Sequence, residues 1–375
     1  MRLDRLVLRE IRLPLREPFR ISSGEMSERQ ILLCELTDAD GATVMSECVA
    51  GETPNYTPET IDTAWHAITA WVAPRLLGRE LGHPREVLGI LEKDFRGHNM
   101  AKAGVEMGMW GLDAVRRGVP LAELVGGTRV RVPVGISLGI QRAPELLVAK
   151  AEAAVAQGYK KVKIKVEPGR DVAFVEAARR ALPDAHLMAD ANNAYTLADL
   201  PVLQALDQLG LMMIEQPLAW DDLVRHATLQ RALKTPVCLD ESITSLERAE
   251  DMVALGSGRI VNIKPGRVGG FTSSIAIHDY CQAQGIPVWC GGMFESGIGR
   301  AYNVALASLP NFSLPGDLSP SSRYWTRDIV DPEWTMTPEG EVIVPRQGPG
   351  LGVTPDLERI AALTVRTVDL RAPRA

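Results

Sequence analysis

The sequence predicts an α/β barrel, a ring of eight parallel strands alternating with helices. Three observations predict it. Short apolar runs, KVKIK, HLMAD, LMMIE, VCLD and IVNIK, each end in a charged residue: Lys165, Asp190, Glu215, Asp240 and Lys264. These charges recur at a step of about 25 residues, enough for a strand of about five residues, a helix of about eleven and two short loops. Helical stretches such as DVAFVEAARRAL and SLERAEDMVAL separate the runs, so the order reads β-α-β-α and the sheet is parallel.

Taken in order, the chain begins with more than a barrel needs. At 375 residues it exceeds one barrel of about 250, and the surplus falls mainly in the first 125 residues. There MRLDRLVLREIRLPL and QILLCELTDADGATVMSECVA read as strands, the second stretch with a turn at Asp40-Gly41. Helical runs follow around Ile61–Leu77 and Met100–Arg117. Gly126-Gly127 mark the junction with the barrel. Its first strand is VPVGIS (132–137), ending near Ser137. Strands two to seven are Lys161–Val166, His186–Asp190, Leu211–Glu215, Val237–Asp240, Ile260–Lys264 and Pro287–Cys290. NFSLPGD (311–317) is the eighth. Their nearly continuous apolar character suits strands buried on both faces. WTMTPEGEVIVP (334–345) reads as a hairpin around Pro338–Gly340.

The pattern carries chemistry because an α/β barrel keeps its active site at the C-terminal ends of its strands. In a ring of eight, strands two and six are opposed. Lys165 and Lys264 therefore face each other across the mouth, and Asp190, Glu215 and Asp240 line the arc between them. Three convergent carboxylates repel one another and raise their own pKa values. A hard divalent cation resolves this, and an all-oxygen set without His or Cys favours Mg²⁺ over Zn²⁺, with Mn²⁺ able to substitute. Such a cation binds a substrate carboxylate and stabilises the second negative charge that forms when the adjacent carbon loses its proton. A lysine base must be partly neutral, and the cation and a neighbouring ammonium both lower its pKa. Lys163 and Lys165 share a strand face, so Lys163 is placed to depress Lys165. Two opposed lysines can take a proton from one face and return one to the other. A single charge at a strand end is more often a solvated surface group, but five in register are not explained that way.

These residues resemble the enolase superfamily, in its branch with a KxK motif on strand two. DANNAY (190–195), EQPL (215–218), CLDES (238–242), NIKPGRVGG (262–270) and WCGGMFESGIGRA (289–301) resemble the subgroup of o-succinylbenzoate synthases and N-acylamino acid racemases, as do GHNMAKAGVEMGMWGLDA (97–114) and PVGISLGI (133–140). The resemblance implies an α+β capping domain over 1–125, a (β/α)7β barrel (a modified TIM barrel) over 126–325, and a C-terminal segment, 326–375, that returns to the cap. It implies Asp190, Glu215 and Asp240 as Mg²⁺ ligands, Lys165 and Lys264 as the acid/base pair, Lys163 as their helper, and an enediolate intermediate. The implied reactions are dehydration of a cyclohexene precursor to o-succinylbenzoate, racemisation of N-acylamino acids, or both, in a homo-oligomer, dimer or octamer. Ser137 and Asn192, within the matching segments, are candidate substrate contacts, and Glu241 a supporting residue behind the site. One departure is Gly111, where relatives usually carry Asp or Glu.

Two cap loops, EPFRISSGE (17–25) and AGETPNYTPE (50–59), carry Gly, Pro and Ser between strand-like runs. In the superfamily such loops close over the substrate. Phe19 and Tyr56 are lid candidates, or equally core residues of the cap. Met293, Phe294 and Ile298 line an apolar pocket or belong to ordinary core. Arg267, three residues after Lys264, either tunes that lysine or is a loop arginine at the surface.

Composition excludes other classes. The net charge is −6 without a basic run, so a nucleic-acid partner is not expected. Five cysteines without a CxxC pair fit buried thiols in a reducing cytoplasm. No apolar stretch of about 18 residues suits a membrane span, and the N-terminus does not read as a signal peptide. A Schiff-base aldolase using Lys165 or Lys264 leaves the three carboxylates unexplained, and a non-catalytic barrel leaves the lysine pair unexplained. Muconate cycloisomerisation and dipeptide epimerisation are the nearest competitors within the superfamily. GDLSPSS (316–322) lacks the DxD motif of the dipeptide type.

Overall fold

A computed structural model describes residues 1–21 and 24–373. The cap is built on a long antiparallel hairpin of β1 (Leu3–Ile21) and β2 (Gly24–Asp38), extended by β3 (Thr43–Cys48). The turn between β2 and β3 falls at Asp40-Gly41, with Gly41 at φ 91°. Asp38 closes it by accepting from the amides of Asp40 and Ala42. Leu6, Leu8, Cys34 and Leu36 are buried on one face of the sheet, and Ile11, Ile31 and Leu33 on the other. Helical segments over 61–76 and the helix Asn99–Arg117 pack against it.

The long helix joins the two halves of the molecule. Met100 to Ala114 are all buried, so it has no solvent face along most of its length. Gly108 and Gly111 permit the close packing: a Cβ on Gly108 would strike Leu36, and one on Gly111 would strike the Tyr302 hydroxyl. That hydroxyl donates to Met45 O at 3.0 Å, tying a barrel helix to β3 of the cap. Tyr302 thus fills the space beside Gly111.

The barrel strands are β5 (Gly135–Leu138), β6 (Lys161–Lys165), β7 (Leu187–Asp190), β8 (Ile214–Glu215), β9 (Val237–Leu239), β10 (Ile260–Ile263) and β11 (Val288–Cys290). They form one parallel sheet of seven strands in chain order. The expected eighth strand is not regular, because Pro315 has no amide hydrogen to give a ladder. The segment 311–317 still closes the ring: Leu314 and Asp317 donate to Val288 and Cys290, Gly316 donates to Pro133, and Gly135 donates to Gly316. The fold is the (β/α)7β barrel with an N-terminal cap.

Three boundaries differ from expectation. The run 132–137 is not one strand. β4 (Arg131–Pro133) turns away to pair antiparallel with β13 (Glu341–Ile343), and only β5 joins the barrel. Consequently 334–345 is not a hairpin: Thr337 donates to Glu341 across a turn, and β13 spends its ladder on β4, whose backbone groups need partners outside the ring. The segment 17–25 is not a free loop either. Its arms belong to β1 and β2, with Phe19 opposite Met26, and Ser22-Ser23 lie outside the described residues. By contrast 50–59 is irregular and leads into the helix at Ile61.

The tail also contributes a short pair, β12 (Val330–Asp331) with β14 (Thr354–Pro355). It then returns as β15 (Thr364–Arg371), which pairs with β1 and becomes an edge of the cap sheet. All five cysteines are free and buried. Among the described residues no helix is long and apolar enough to cross a membrane.

Candidate active site

The strand-end charges converge because parallel strands in register present equivalent positions at one level. Lys165 pairs with Asp190, and Asp190 with Glu215, as direct register partners. Lys165 Nζ donates to Asp190 Oδ2 at 2.5 Å and to Asn192 Oδ1 at 2.6 Å. Lys163 Nζ stands 3.4 Å from the same Asp190 oxygen and 3.3 Å from Glu215 Oε2. On the other side Lys264 Nζ donates to Asp240 Oδ2 at 2.8 Å. Lys165 and Lys264 line one cavity of about 140 Å³, reached from the sides of β6 and β10.

Lys163 lies beside Lys165 as its spacing requires, but its charge is engaged by carboxylates. Asp317 Oδ2 is its nearest partner at 2.6 Å. Burial alone would lower the Lys163 pKa, yet Asp317, Glu215 and Asp190 together raise it. Lys264 follows the same logic: burial is outweighed by Asp240, and its pKa rises. Burial would raise Asp190 and Asp240, but Lys165 and Lys163 hold the first down, and Lys264 and Arg267 the second. Glu215 goes the other way. Burial, then the adjoining Asp190, push it up to about 8. Its Oε2 is buried without a hydrogen bond, and its Oε1 accepts from Asn262 at 2.7 Å. Among the described residues no three His, Cys, Asp or Glu side chains form a ready metal cage; the carboxylates turn instead onto the lysines and Arg267.

The remaining expected residues fall into place unevenly. Tyr56 comes from the cap loop: its hydroxyl donates to Asp240 Oδ1 at 2.8 Å, and Lys264 Nζ sits 4.4 Å from its ring centre. Arg267 is fully buried rather than superficial. It donates to Asp240 Oδ1, to the Tyr56 hydroxyl at 3.0 Å and to Ile243 O at 2.7 Å. Asn192, at a left-handed φ of 42°, bridges Lys165 to Glu241, donating to Glu241 Oε1 at 3.2 Å. Glu241 is raised to about 7 by burial and by Asp240. Ser137 lines the cavity with its hydroxyl unpartnered. Phe19 and Met293 line it too, and Phe294 joins them, meeting Phe19 edge-on at 4.8 Å and Tyr324 at 5.2 Å. Ile298 does not. It lies in the helix Gly297–Ala307, fully buried in the core cluster and off the cavity wall, because the helix start turns it inward.

Sequence reasoning missed four buried members of the site: Asp317, Asn262, Lys161 and Trp289. Asp317 ends the eighth segment as the other charges end their strands, and that signal was readable. Asn262 and Lys161 each lie two residues before a site lysine, so strand alternation points them inward as well. Lys161 Nζ sits 3.5 Å above the Trp289 ring and 3.5 Å from Asp317 Oδ1.

A barrel mouth with paired lysines and clustered carboxylates under an α+β cap defines a class, and comparison with known proteins agrees. Residues 146–360 match the family described as enolase C-terminal domain-like, and residues 5–126 match the mandelate racemase / muconate lactonizing enzyme N-terminal domain. The chain belongs to the enolase superfamily. It is 48% identical over 365 residues to an o-succinylbenzoate synthase of Geobacillus kaustophilus, covering 96% of each chain. It is 45% identical over 363 residues to an N-succinylamino acid racemase of Thermus thermophilus, covering 96% of this chain and 97% of that one. A crystal structure of an enolase superfamily member from Listeria innocua superposes with a TM-score of 0.95 at 40% identity, over 99% of both chains.

Proposed function

We propose that the protein removes a proton from the carbon next to a substrate carboxylate, acting as an o-succinylbenzoate synthase, an N-succinylamino acid racemase, or both. The observation that carries this is the pair Lys165 and Lys264 on opposite sides of one cavity, with Asp190, Glu215 and Asp240 on the strands between. Lys165, steered by Asn192 and Asp190, addresses one face of the reacting carbon. Lys264, steered by Asp240 and lying over Tyr56, addresses the other. In racemisation one lysine takes the proton and the other returns one. In dehydration one abstracts, and the other stays an ammonium that steadies the developing charge. Phe19, Met293 and Phe294 exclude water from the cavity, which strengthens each of these charge interactions.

The residues present suit a divalent cation, Mg²⁺ above all. Five cations (Lys161, Lys163, Lys165, Lys264, Arg267) meet five carboxylates (Asp190, Glu215, Asp240, Glu241, Asp317) in one buried cluster. A lysine that acts as base has shed its proton. With one lysine neutral as base and the other an ammonium, the cluster is short of positive charge, which a bound cation would supply. Asp190, Glu215 and Asp240 would hold it through oxygen alone. When bound, it supplies positive charge to the substrate carboxylate as the neighbouring carbon becomes carbanionic. Asp317 is engaged by Lys163 and Lys161, so it is not free to receive a substrate ammonium, which disfavours dipeptide epimerisation.

Deuterium incorporation at the α-carbon, followed by NMR in D₂O, tests the reading. Each enantiomer of an N-succinylamino acid is given to the Mg²⁺-supplied enzyme. Lys165→Ala is expected to lose exchange of one enantiomer and Lys264→Ala that of the other, with neither variant racemising. Interconversion at near wild-type rate by either single variant would sink the opposed-lysine mechanism.

A further inference from the structure

β6 turns three lysines into the barrel at successive levels, Lys161, Lys163 and Lys165, because residues two apart share a strand face. The first two meet one carboxylate. Asp317 Oδ2 stands 2.6 Å from Lys163 Nζ, and Asp317 Oδ1 stands 3.5 Å from Lys161 Nζ. All three side chains are buried. Burial would raise the pKa of Asp317, but Lys163 and Lys161 hold it below the usual carboxylate range. The backbone of Asp317 is tied on both sides: its amide donates to Cys290 O at 2.9 Å, and its carbonyl accepts from Arg300 at 2.6 Å. It is a fixed anchor rather than a mobile counter-ion.

The consequence falls on two of the three carboxylates assigned to the cation. Lys163 Nζ also lies 3.3 Å from Glu215 Oε2 and 3.4 Å from Asp190 Oδ2. An ammonium that near a buried carboxylate is expected to bond to it. Glu215 Oε2 nevertheless has no hydrogen bond, while the contact of Lys163 with Asp317 is the shortest of the three. An oxygen left open in this way can receive a hard cation, and one covered by an ammonium cannot.

We propose that Asp317 is a positioning residue for the metal site: it draws the Lys163 ammonium off Glu215 and Asp190 and so keeps their oxygens free for Mg²⁺. Lys161, which shares the same carboxylate and lies against the Trp289 ring, limits that pull. This deepens the function proposed above and rests on its assignment of the metal ligands.

Mg²⁺ binding, measured by calorimetry on enzyme first stripped with EDTA, tests it without turnover. Asp317→Asn should weaken Mg²⁺ binding roughly tenfold or more, the usual effect of losing a group that orients a metal ligand. Lys161→Met should tighten it, because Asp317 is then left to Lys163 alone. Loss of one negative charge also weakens cation binding through the field alone, and a double-mutant cycle separates that from positioning. In a Lys163→Met background no ammonium remains to cover Glu215, so Asp317→Asn should cost several-fold less there. An equal loss in both backgrounds overturns the proposal. A crystal structure of the Mg²⁺-loaded wild type is a check that needs no variant to fold. Lys163 Nζ should lie within hydrogen-bond distance of Asp317 and make no hydrogen bond to Glu215; Lys163 bonded to Glu215 with Asp317 released overturns the proposal as well. A wild type that binds no Mg²⁺ overturns the metal assignment and this inference together. Failure of the catalytic reading is separable: α-proton exchange would then be absent while the coupling between Asp317 and Lys163 stood.

Discussion

At the scale of single residues, the site is a problem in buried charge. Glu215 shows it best. Its pKa is pushed up to about 8 by burial and by a second carboxylate one strand away, although Lys163 stands beside it. A carboxylate pair so placed is costly unless something positive lies between the two groups. The expected outcome is that chelation by EDTA abolishes activity and that Mg²⁺ or Mn²⁺ restores it. Asp190→Asn, Glu215→Gln and Asp240→Asn should each cost about 3 kcal/mol of transition-state stabilisation, roughly a hundredfold in kcat. Steady-state rates with and without added metal read both effects, and full activity in metal-stripped enzyme would refute them. The five strand-end charges were legible because each closes an apolar run at a repeating interval. Asp317 was legible by the same rule, since it closes the eighth segment, although Pro315 breaks the ladder of that segment.

At the scale of elements, the helix Asn99–Arg117 decides how closely the cap and barrel meet. Its burial on all sides follows from glycines on the packed faces, and Gly111 is the tightest, with the Tyr302 hydroxyl where a side chain would go. The resemblance marked Gly111 as a departure. The structure supplies the compensation, since a glycine here leaves room for a tyrosine that spans to Met45 O. Gly111→Ala should therefore destabilise the protein by about 1–3 kcal/mol through overpacking. In a Tyr302→Phe background the same substitution should cost markedly less, because the colliding oxygen is gone. Urea unfolding of the four proteins in this cycle measures the coupling; simple additivity would contradict the packing account. The cap segment 17–25 was harder to read. Gly, Pro and Ser in 17–25 suggested a loop, but Phe19–Ile21 pair with Gly24–Met26, so the hairpin ladder takes up most of it.

At the scale of the whole molecule, cap and barrel are joined by buried polar bonds as well as by packing. Glu47 of β3 accepts from the Ser296 amide at 3.1 Å, the Ser296 hydroxyl at 2.6 Å and the Gly299 amide at 3.3 Å, so a cap carboxylate covers the start of the helix Gly297–Ala307. Glu106 does the same for the helix Phe271–Ala283 through the amides of Phe271 and Thr272. Burial, opposed by the Ser296 hydroxyl and reinforced by Glu295, pushes Glu47 up from 4.5 to about 8. Between those two values the folded state holds a proton that the unfolded chain has released. Stability from this group therefore falls as pH rises through that window. Glu47→Gln removes the titration. The Tm of the wild type should drop relative to the variant between about pH 5 and 9, as read by scanning calorimetry, and two parallel Tm curves would exclude Glu47 as the source.

The sequence by itself determined the barrel, the level at which its charges stand, and which lysines oppose each other. These depend on strand period and ring order, and a 25-residue repeat of apolar run and charge encodes both locally. It also placed the turn at Asp40-Gly41 and the helix before the barrel, where capping, glycine and periodicity act within a few residues. Only the tertiary structure decided the rest. Arg267 is a buried partner of Asp240 and Tyr56, Tyr56 reaches the site from the cap, β13 deserts its expected hairpin for β4, and β15 finishes the cap sheet. Each of these is a pairing between residues far apart in the chain. Nothing in the neighbouring sequence distinguishes a buried arginine from an exposed one, or one open strand edge from another, until the partner that satisfies it is in place.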